Sequence, residues 1–363
     1  MFFGERLRQE GHHRHLSRRV LADVLNISMQ SISRIRSIVL VAVLLISYFS
    51  FSTPPPARAA SLSPIGWTNS YYLDSAMANM NGGDLQKTFS AWGTAEAQND
   101  NAVAASQGGC TTRQYTMYVM IDYGQPFSTY ISTFGTAPDQ SWSQAQNIAL
   151  AYAKSWYSAS YACFRLHLAM GVNNQVCLNW ASTNNTDPCV STAGNALAQA
   201  VESANATLAS LGYSWQVDIS GGIDAESDAG FGSYSTTLGF VNAYNTKINT
   251  YTTRYQLYDF GDATHSCNLD WSCDPSSRVY NIAWSIGYDY PFPEAYSTGQ
   301  NSNWLGVSQY SSRTSNPIQY GIVMLDASQA YCSDTACWQD FANKNGTWIQ
   351  GGVLAGSAQL PLG

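Results

Sequence analysis

The chain has 363 residues, and only 11% of them are charged. Residues 1–59 hold eight of the 17 Lys and Arg but three of the 24 Asp and Glu, so the remainder has nine basic and 21 acidic residues, a net charge of −12. This balance excludes nucleic acid as a partner, because nucleic-acid binding requires a basic face that neutralises phosphates.

The N-terminal part has the pattern of an export signal. Residues 38–51 form an uncharged, mostly apolar run of 14 (IVLVAVLLISYFSF), preceded by Arg34 and Arg36 and followed by the small-x-small site at residues 57–60. The run is short for a bilayer-spanning helix, which needs about 20 apolar residues. We expect residues 1–59 to be a signal or targeting segment and the mature protein to be secreted or held at the cell surface. The alternative is an uncleaved anchor, which is then the expected membrane contact.

Every cysteine follows this segment. An even number of Cys in an exported chain favours disulfides, and nearest-neighbour pairing gives one of the 105 connectivities that eight Cys allow. Zinc sites use CxxC pairs or Cys/His clusters, which are absent after residue 59, and we therefore expect no metal site. The pairs predicted by proximity are Cys177–Cys189, Cys267–Cys273, Cys332–Cys337 and Cys110–Cys163.

Residues 60–110 are polar, and we expect them to be a lead-in segment with a short helix near Leu85–Trp92. From residue 111 onward, patterns of strand and helix alternate. The predicted strands are Tyr115–Asp122, Phe164–Gly171, Trp215–Ile223, Tyr255–Phe260, Val279–Ile286, Phe292–Tyr296, Ile318–Leu325 and Thr347–Leu354. The predicted helices are Ser143–Tyr157, Ala193–Leu211, Thr236–Asn249, Asn303–Ser311 and Asp334–Lys344.

This alternation predicts an α/β fold with parallel strands and right-handed crossovers. Seven or eight strands in about 240 residues favour a (β/α)8-type TIM barrel over residues 111–363, irregular in its second half and with disulfide-stapled loops. An open doubly wound sheet is the alternative. Such a sheet usually carries a Gly-rich phosphate loop, and GGIDAE at residues 221–226 is neither GxGxxG nor a P-loop, so we expect no cofactor.

Carboxylates lie at nearly every predicted strand end, where a TIM barrel has its active site. Asp224 and Glu226 alternate along the chain and therefore project from the same face of a strand. Two close carboxylates raise the pKa of one, and a carboxylic acid still protonated near neutrality can protonate a leaving oxygen. Glycoside hydrolysis requires that acid and a second carboxylate. The strand-end carboxylates are Asp122, Asp224, Glu226, Asp259, Glu294 and Asp326.

We assign the acid role to Glu226, the longer side chain, and expect Asp224 to orient and tune it. Asp122 or Asp259 is the candidate partner carboxylate. The alternative is that Asp224 and Glu226 cap the next helix, and that the aromatic residues pack the core instead of a sugar ring. The candidates for substrate binding are Trp284, Glu294, Tyr296, Asp326 and Gln309.

The series IDYG, GGIDAE, YDFGD, AWSIG, FPEAY and VMLDA, spread over residues 115–330, resembles a little-characterised group of secreted bacterial glycoside-hydrolase-like TIM barrels. The layout is also similar to that of the barrel-fold lysozymes, which cleave peptidoglycan. Those enzymes have an Asp after the first strand, a D-x-E on a middle strand and an Asp on the last strand. Asp122, Asp224, Glu226 and Asp326 match these positions. The chain departs from the pattern in its several disulfides and in a D-x-E on the predicted third strand.

Together these observations predict an exported glycoside-hydrolase-like protein, an O-glycosyl hydrolase that cleaves a polysaccharide or peptidoglycan with paired carboxylates. The first alternative is a catalytically inactive secreted barrel that binds glycan or a surface partner. The second is an exported structural domain with no small ligand, in which the carboxylates are scattered and exposed.

Overall fold

The computed structural model describes residues 66–106, 108–111, 114–177, 188–227, 231–264, 271–272, 274–325 and 331–357. The predicted signal segment, residues 1–59, lies outside this part of the chain. So do Asp326 and the predicted Cys267–Cys273 pair. Within the described part, no helix has the length and apolar character needed to cross a membrane.

Parallel strands follow one another in chain order across the main sheet of the described residues. They are β1 (Gly66–Tyr72), β2 (Tyr115–Asp122), β3 (Phe164–Asn173), β4 (Val217–Asp224), β5 (Leu257–Asp259) and β6 (Asp289–Pro291). This order has no reversal, whereas a doubly wound sheet changes direction at a switch point. The order of the described strands is therefore not that of a doubly wound sheet.

A second parallel pair continues the main sheet. It consists of β7 (Tyr320–Leu325) and β8 (Ile349–Ser357). The chain just past β6 pairs with β7, because the Met324 N–H donates to the Pro293 carbonyl at 2.9 Å and the Ala295 N–H donates to the Met324 carbonyl at 2.8 Å. At the other end of the series, β8 lies against β1. No hydrogen-bonded ladder joins β8 to β1 among the described residues.

Helices connect the strands on the outside of the sheet. Serine begins four of them: Ser141, Ser233, Ser297 and Ser333 each accept a hydrogen bond from a backbone N–H of the first turn, as an N-cap residue does. The described helices are α1 (Ser75–Asn79), α2 (Leu85–Ser106), α3 (Trp142–Ala159), α4 (Pro188–Ser210), α5 (Tyr234–Ile248), α6 (Ser276–Tyr280), α7 (Thr298–Ser311) and α8 (Asp334–Asn345).

The main sheet curls around an apolar interior. Tyr118 of β2 and Phe292, just past β6, have ring centroids 6.2 Å apart. These strands are four positions apart in the sheet, a separation of about 19 Å if the sheet were flat. Alternate residues of each strand pack outward against the helices. The inner core consists of Met120, Ala169, Tyr258, Phe260, Phe292, Ile322 and Met324.

Two glycines allow this interior to close under the strand ends. A Cβ on Gly171 would lie 2.8 Å from the Met120 sulfur and 2.9 Å from the Phe260 ring, and a Cβ on Gly222 would lie 2.8 Å from the same sulfur. Met120 and Phe260 thus occupy the space that side chains on β3 and β4 would take. The inner core ends here, and polar residues begin one step further along the strands.

The expectation of a lead-in segment at residues 60–110 is wrong for its described part. β1 pairs with β2 in parallel over seven residues, and α2 extends through 22 residues instead of Leu85–Trp92 alone. Tyr71 of β1 stacks on Trp92 of α2 with centroids 4.9 Å apart, so this segment is the first strand–helix unit. The sequence pattern does not predict β1 because GWTNSYY has few β-branched apolar residues.

A second correction concerns the predicted strand Val279–Ile286, which is instead α6 followed by a π-helical turn, Asn281–Ser285. The next strand begins earlier than predicted, at Asp289 instead of Phe292. A short apolar run fits a strand or a helix equally well by periodicity. Here the N–H groups of Arg278 and Val279 both bond to the Pro275 carbonyl, which starts a helical turn.

Three of the predicted disulfides are present. Their Cα–Cα distances are 5.4 Å for Cys110–Cys163, 6.0 Å for Cys177–Cys189 and 5.6 Å for Cys332–Cys337. Cys110–Cys163 ties the turn after α2 to the start of β3. These bonds are consistent with an extracellular protein, because disulfides persist in oxidising compartments.

Asn205 of α4 fixes that helix to β4. β5 pairs with β4 only from Gly221 onward, so the backbone of Ile219 has no strand partner on that side. The buried Asn205 side chain takes its place: the Nδ2 group donates to the Ile219 carbonyl at 2.6 Å, and Oδ1 accepts from the Ile219 N–H at 2.9 Å. The amide thus replaces a missing stretch of β5.

We expect Asn205→Ala to lower the free energy of unfolding by about 2–3 kcal/mol, because it leaves two buried backbone groups without partners. Urea denaturation followed by circular dichroism measures this change. Asn195→Ala, at an exposed position of the same helix, is the matched control and should leave stability unchanged or slightly higher. Equal small effects of the two substitutions would contradict this role of Asn205.

Candidate functional site

A cavity of about 460 Å³ opens at the carboxyl ends of the strands. Strand ends form its floor, and the antiparallel strands Gln125–Pro126, Tyr130–Ser132 and Gln140–Ser141 form a small sheet that contributes to one wall. The lining residues are Tyr72, Gln125, Ser132, Thr133, Phe134, Gly135, Asn173, Gln175, Asp224, Glu226, Phe231, Glu294 and Tyr296.

Asp224 and Glu226 both line this cavity, as the D-x-E spacing predicts. Asp224 ends β4 opposite Asn173 of β3. Its side chain is 6% exposed, and Oδ1 has no hydrogen-bond partner among the described residues. Burial raises the pKa of Asp224 well above its ordinary value, and the charges of Glu226 and Glu294 raise it further.

The backbone at Glu226 is held by a buried amide on the neighbouring strand end. Asn174 donates from Nδ2 to the Glu226 carbonyl at 2.7 Å and to Thr237 Oγ1 at 3.2 Å. Asn174 also accepts from the Gly232 N–H at 3.4 Å. These contacts connect the loops after β3 and β4, so the direction in which Glu226 leaves the strand is fixed by two strands.

Glu294 completes a group of three carboxylates in the cavity. The pairing of its chain neighbours Pro293 and Ala295 with β7 holds its backbone in place. The Tyr296 hydroxyl donates to Glu294 Oε1 at 3.0 Å. Burial raises the pKa of Glu294 well above its ordinary value, and the charges of Glu226 and Asp262 raise it further. The Tyr296 hydrogen bond opposes this rise. Glu294, predicted as a substrate-binding residue, therefore belongs to the carboxylate cluster.

Asp122 and Asp259, the candidate partner carboxylates, do not line the cavity. Both are buried at strand ends and bond to the N–H two residues on: Asp122 accepts from Gly124 at 2.9 Å, and Asp259 accepts from Gly261 at 3.3 Å. Burial raises the pKa of each to about 7. Such a bond closes an Asx turn, which directs the chain away from the strand.

Trp284 and Gln309 lie away from the cavity. Trp284 belongs to the π-helical turn before β6, and its Nε1 donates to the Asn316 carbonyl at 3.1 Å, before β7 begins. Trp284 and Asn316 therefore both lie at the amino ends of strands. Gln309 is exposed near the end of α7, a helix that runs back towards that same end. Neither residue is brought together with the carboxylates.

Other aromatic residues line the cavity in their place. Tyr72 at the end of β1 meets Phe134 edge-to-face with centroids 5.7 Å apart, and Phe231 and Tyr296 line further parts of the wall. Tyr296 was predicted, whereas Tyr72, Phe134 and Phe231 were missed. Tyr72 was missed with its strand, and no pattern in the loop sequences marks Phe134 or Phe231.

No family model matches the sequence, and no curated protein matches it. A provisionally named lyase/mutase from Burkholderia cenocepacia J2315 is 11% identical, with a TM-score of 0.36 over 83% of this chain and 79% of that chain. A GH5-4 broad specificity endoglucanase from an uncultured bacterium is 11% identical, with a TM-score of 0.42 over 85% of this chain and 90% of that chain. Both scores are under 0.5, so neither function is transferred.

We expect Asp224→Asn to stabilise the protein at neutral pH. Because folding raises the pKa of Asp224, its contribution to stability is fully present below its ordinary pKa of 3.8 and is lost as the pH rises towards the folded-state value. An asparagine stays neutral and avoids that loss. The melting temperature of the variant should exceed that of the wild type at about pH 7 and match it at about pH 3.5.

Asp139→Asn, at an exposed position, is the matched control for the loss of one negative charge. It should leave the melting temperature unchanged at both pH values. A lower melting temperature of Asp224→Asn at neutral pH would mean that Asp224 is ionised and stabilising in the folded protein, which contradicts this description of the site.

Proposed function

We propose that this chain is an exported glycoside hydrolase that cleaves a polysaccharide or peptidoglycan with the carboxylates of its cavity. The observation that carries the proposal is the convergence of Asp224, Glu226 and Glu294 on one cavity with aromatic walls at the carboxyl ends of parallel strands. A glycosidase needs a proton donor, a second carboxylate and a surface on which a sugar ring can stack.

The fold belonging to this proposal is a closed (β/α)8 barrel. Its support is the curl of the main sheet around the inner core, the continuation of the sheet to β7 and the position of β8 against β1. Eight parallel strands then surround the core, and the D-x-E lies at the end of the fourth. The active site of such a barrel lies at the carboxyl ends of the strands, which is where the cavity opens.

Glu226 is the proton donor in this mechanism. Of the three carboxylates it is the one that is only partly buried, so it reaches a glycosidic oxygen in the cavity. Asp224 and Glu294 lie in the same cavity, and the charge of Glu226 raises the pKa of both. Glu226 delivers a proton to the leaving oxygen as the bond from that oxygen to the anomeric carbon breaks.

Glu294 is the second carboxylate. It either attacks the anomeric carbon, forming a glycosyl ester that water later hydrolyses, or takes a proton from a water that attacks directly. In both routes one water is consumed, its hydroxyl ends on the anomeric carbon and its proton returns to the carboxylate pair. The Tyr296 hydroxyl, 3.0 Å from Glu294 Oε1, opposes the rise in the pKa of Glu294 that burial causes, and so favours the ionised form that either role requires.

Export is part of the proposal. The basic flank, the apolar run at residues 38–51 and the small-x-small site support a secretory signal. The three disulfides support an oxidising environment for the mature part. An extracytoplasmic hydrolase meets polysaccharides and peptidoglycan directly.

We expect Glu226→Gln to reduce kcat/KM on a cleaved glycan by about 10²–10⁴-fold, the usual contribution of general acid catalysis. The assay is the release of reducing ends from a panel of polysaccharides and peptidoglycan by the mature protein. Asp139→Asn is the matched control and should retain full activity.

Hydrolysis that survives Glu226→Gln would contradict the assigned acid. If the wild type cleaves no member of the panel, but the wild type and the variant each bind one of them, the protein is an inactive glycan-binding barrel, the alternative to the hydrolase.

A further inference from the structure

The cavity has a strongly one-sided charge. Asp224, Glu226 and Glu294 line it, whereas no Lys or Arg among the described residues does. Asp122, Asp259 and Asp262 act electrostatically on this group from outside the lining. Only nine Lys and Arg occur after residue 59 to balance any of these charges. An anionic sugar such as a uronic acid would be repelled here, and a cationic ligand would be attracted.

A second observation points to a ligand with hydrogen-bond donors. Asp224 is 6% exposed and lines the cavity, yet its Oδ1 has no partner among the described residues. Asp122 also has an oxygen, Oδ2, without a partner among the described residues, but Asp122 does not line the cavity, whereas Asp224 does. A buried carboxylate oxygen without a partner is costly, and a charged donor supplied by a ligand would offset that cost.

The aromatic residues in the cavity walls favour some cationic ligands over others. Tyr72, Phe134, Phe231 and Tyr296 present aromatic surface to the cavity, which suits the apolar face of a pyranose ring better than a bare ion. No group of three or more His, Cys, Asp or Glu in the described part of the chain has an arrangement that could hold a metal ion. The volume of about 460 Å³ is within the range of small-ligand sites.

We propose that the cavity recognises a glycan with free amino groups, in which the ammonium of a de-N-acetylated hexosamine bonds to Asp224 among the three carboxylates while its ring stacks on the aromatic wall. This substrate class rests on the proposed function. An ammonium in this position favours the ionised form of each carboxylate, so binding releases protons from the cluster to the solvent.

The test is isothermal titration calorimetry at about pH 6 with four oligomers of equal length: glucosamine, N-acetylglucosamine, glucose and lysine. The Glu226→Gln background prevents cleavage during the measurement. We expect the glucosamine tetramer to bind at least about tenfold more tightly than the other three, with net release of protons when buffers of different ionisation enthalpy are compared.

Asp224→Asn in the same background should reduce this preference by about tenfold, whereas Asp139→Asn, which removes the same charge from an exposed position, should preserve it. Circular dichroism tests whether each variant is folded. If a variant is not folded, titration of the wild-type protein with glucosamine monomer measures binding instead. Equal binding of the glucosamine and lysine tetramers, or tighter binding of the acetylated or glucose tetramer, would overturn the proposal.

Two outcomes separate the amino-sugar site from the hydrolase activity. Cleavage of a neutral or acetylated glycan that depends on Glu226, without preference for the amine, leaves the hydrolase intact and refutes the amino-sugar site. Preference for the amine without cleavage of any glycan, the glucosamine polymer included, supports the site and refutes the hydrolase.

Discussion

The site depends on the burial of several carboxylates at the ends of neighbouring parallel strands, with no cation among the described lining residues. Burial penalises the charged form of each acid, and each charge that remains penalises the next. Asp224 and Glu294 consequently have pKa values well above their ordinary range. The backbones that carry these side chains are held by strand pairing at Asp224, by the Asn174 contact at Glu226 and by the hydrogen bonds of Pro293 and Ala295 beside Glu294.

The strand-end acids divide into two kinds by what their oxygens contact. Asp122, Asp259 and Asp262 each bond to an N–H two residues further on, and so shape the turn that leaves the strand. Asp224 and Glu294 differ from these because they line the cavity: Oδ1 of Asp224 has no hydrogen-bond partner among the described residues, and Glu294 accepts from the Tyr296 hydroxyl. The acids of the first kind build the rim of the sheet, and those of the second kind are available to a ligand.

Much of the fold could be predicted from the sequence because its signal is periodic. The outward residues of β2 and the apolar face of α4 repeat at strand and helix spacing, and two of the described cysteine pairs, Cys177–Cys189 and Cys332–Cys337, are close in sequence. β1 could not be predicted, since GWTNSYY gains its stability from pairing with β2 and from the contact of Tyr71 with Trp92, neither of which is local. The apolar run that begins at Val279 fits a strand or a helix by periodicity, and the hydrogen bonds of the Arg278 and Val279 N–H groups to the Pro275 carbonyl start a helix there.

The site was predicted in part for the same reason. Asp224 and Glu226 both line the cavity, as the D-x-E spacing predicts, although the strand ends at Asp224 and the Asn174 contact holds the backbone at Glu226. The choice of Asp122 or Asp259 as partner was not supported, because every strand-end acid looks alike in sequence and only the three-dimensional contacts separate turn formers from cavity residues. Tyr72 and Phe134 reach the cavity through the positions of β1 and of the small antiparallel sheet, which no local pattern reveals.

A pH titration of the side-chain carboxyl groups by 13C NMR, with Asp224 and Glu294 assigned by substitution to Asn and Gln, measures whether burial and mutual repulsion raise the pKa values of these two acids. We expect both carboxyl carbons to titrate far above about 4, the ordinary value for carboxyl groups, and removal of either acid to shift the titration of the other downward. If both carboxyl carbons titrate near that ordinary value, and removal of one acid leaves the titration of the other unchanged, then burial and repulsion do not raise the pKa values of Asp224 and Glu294.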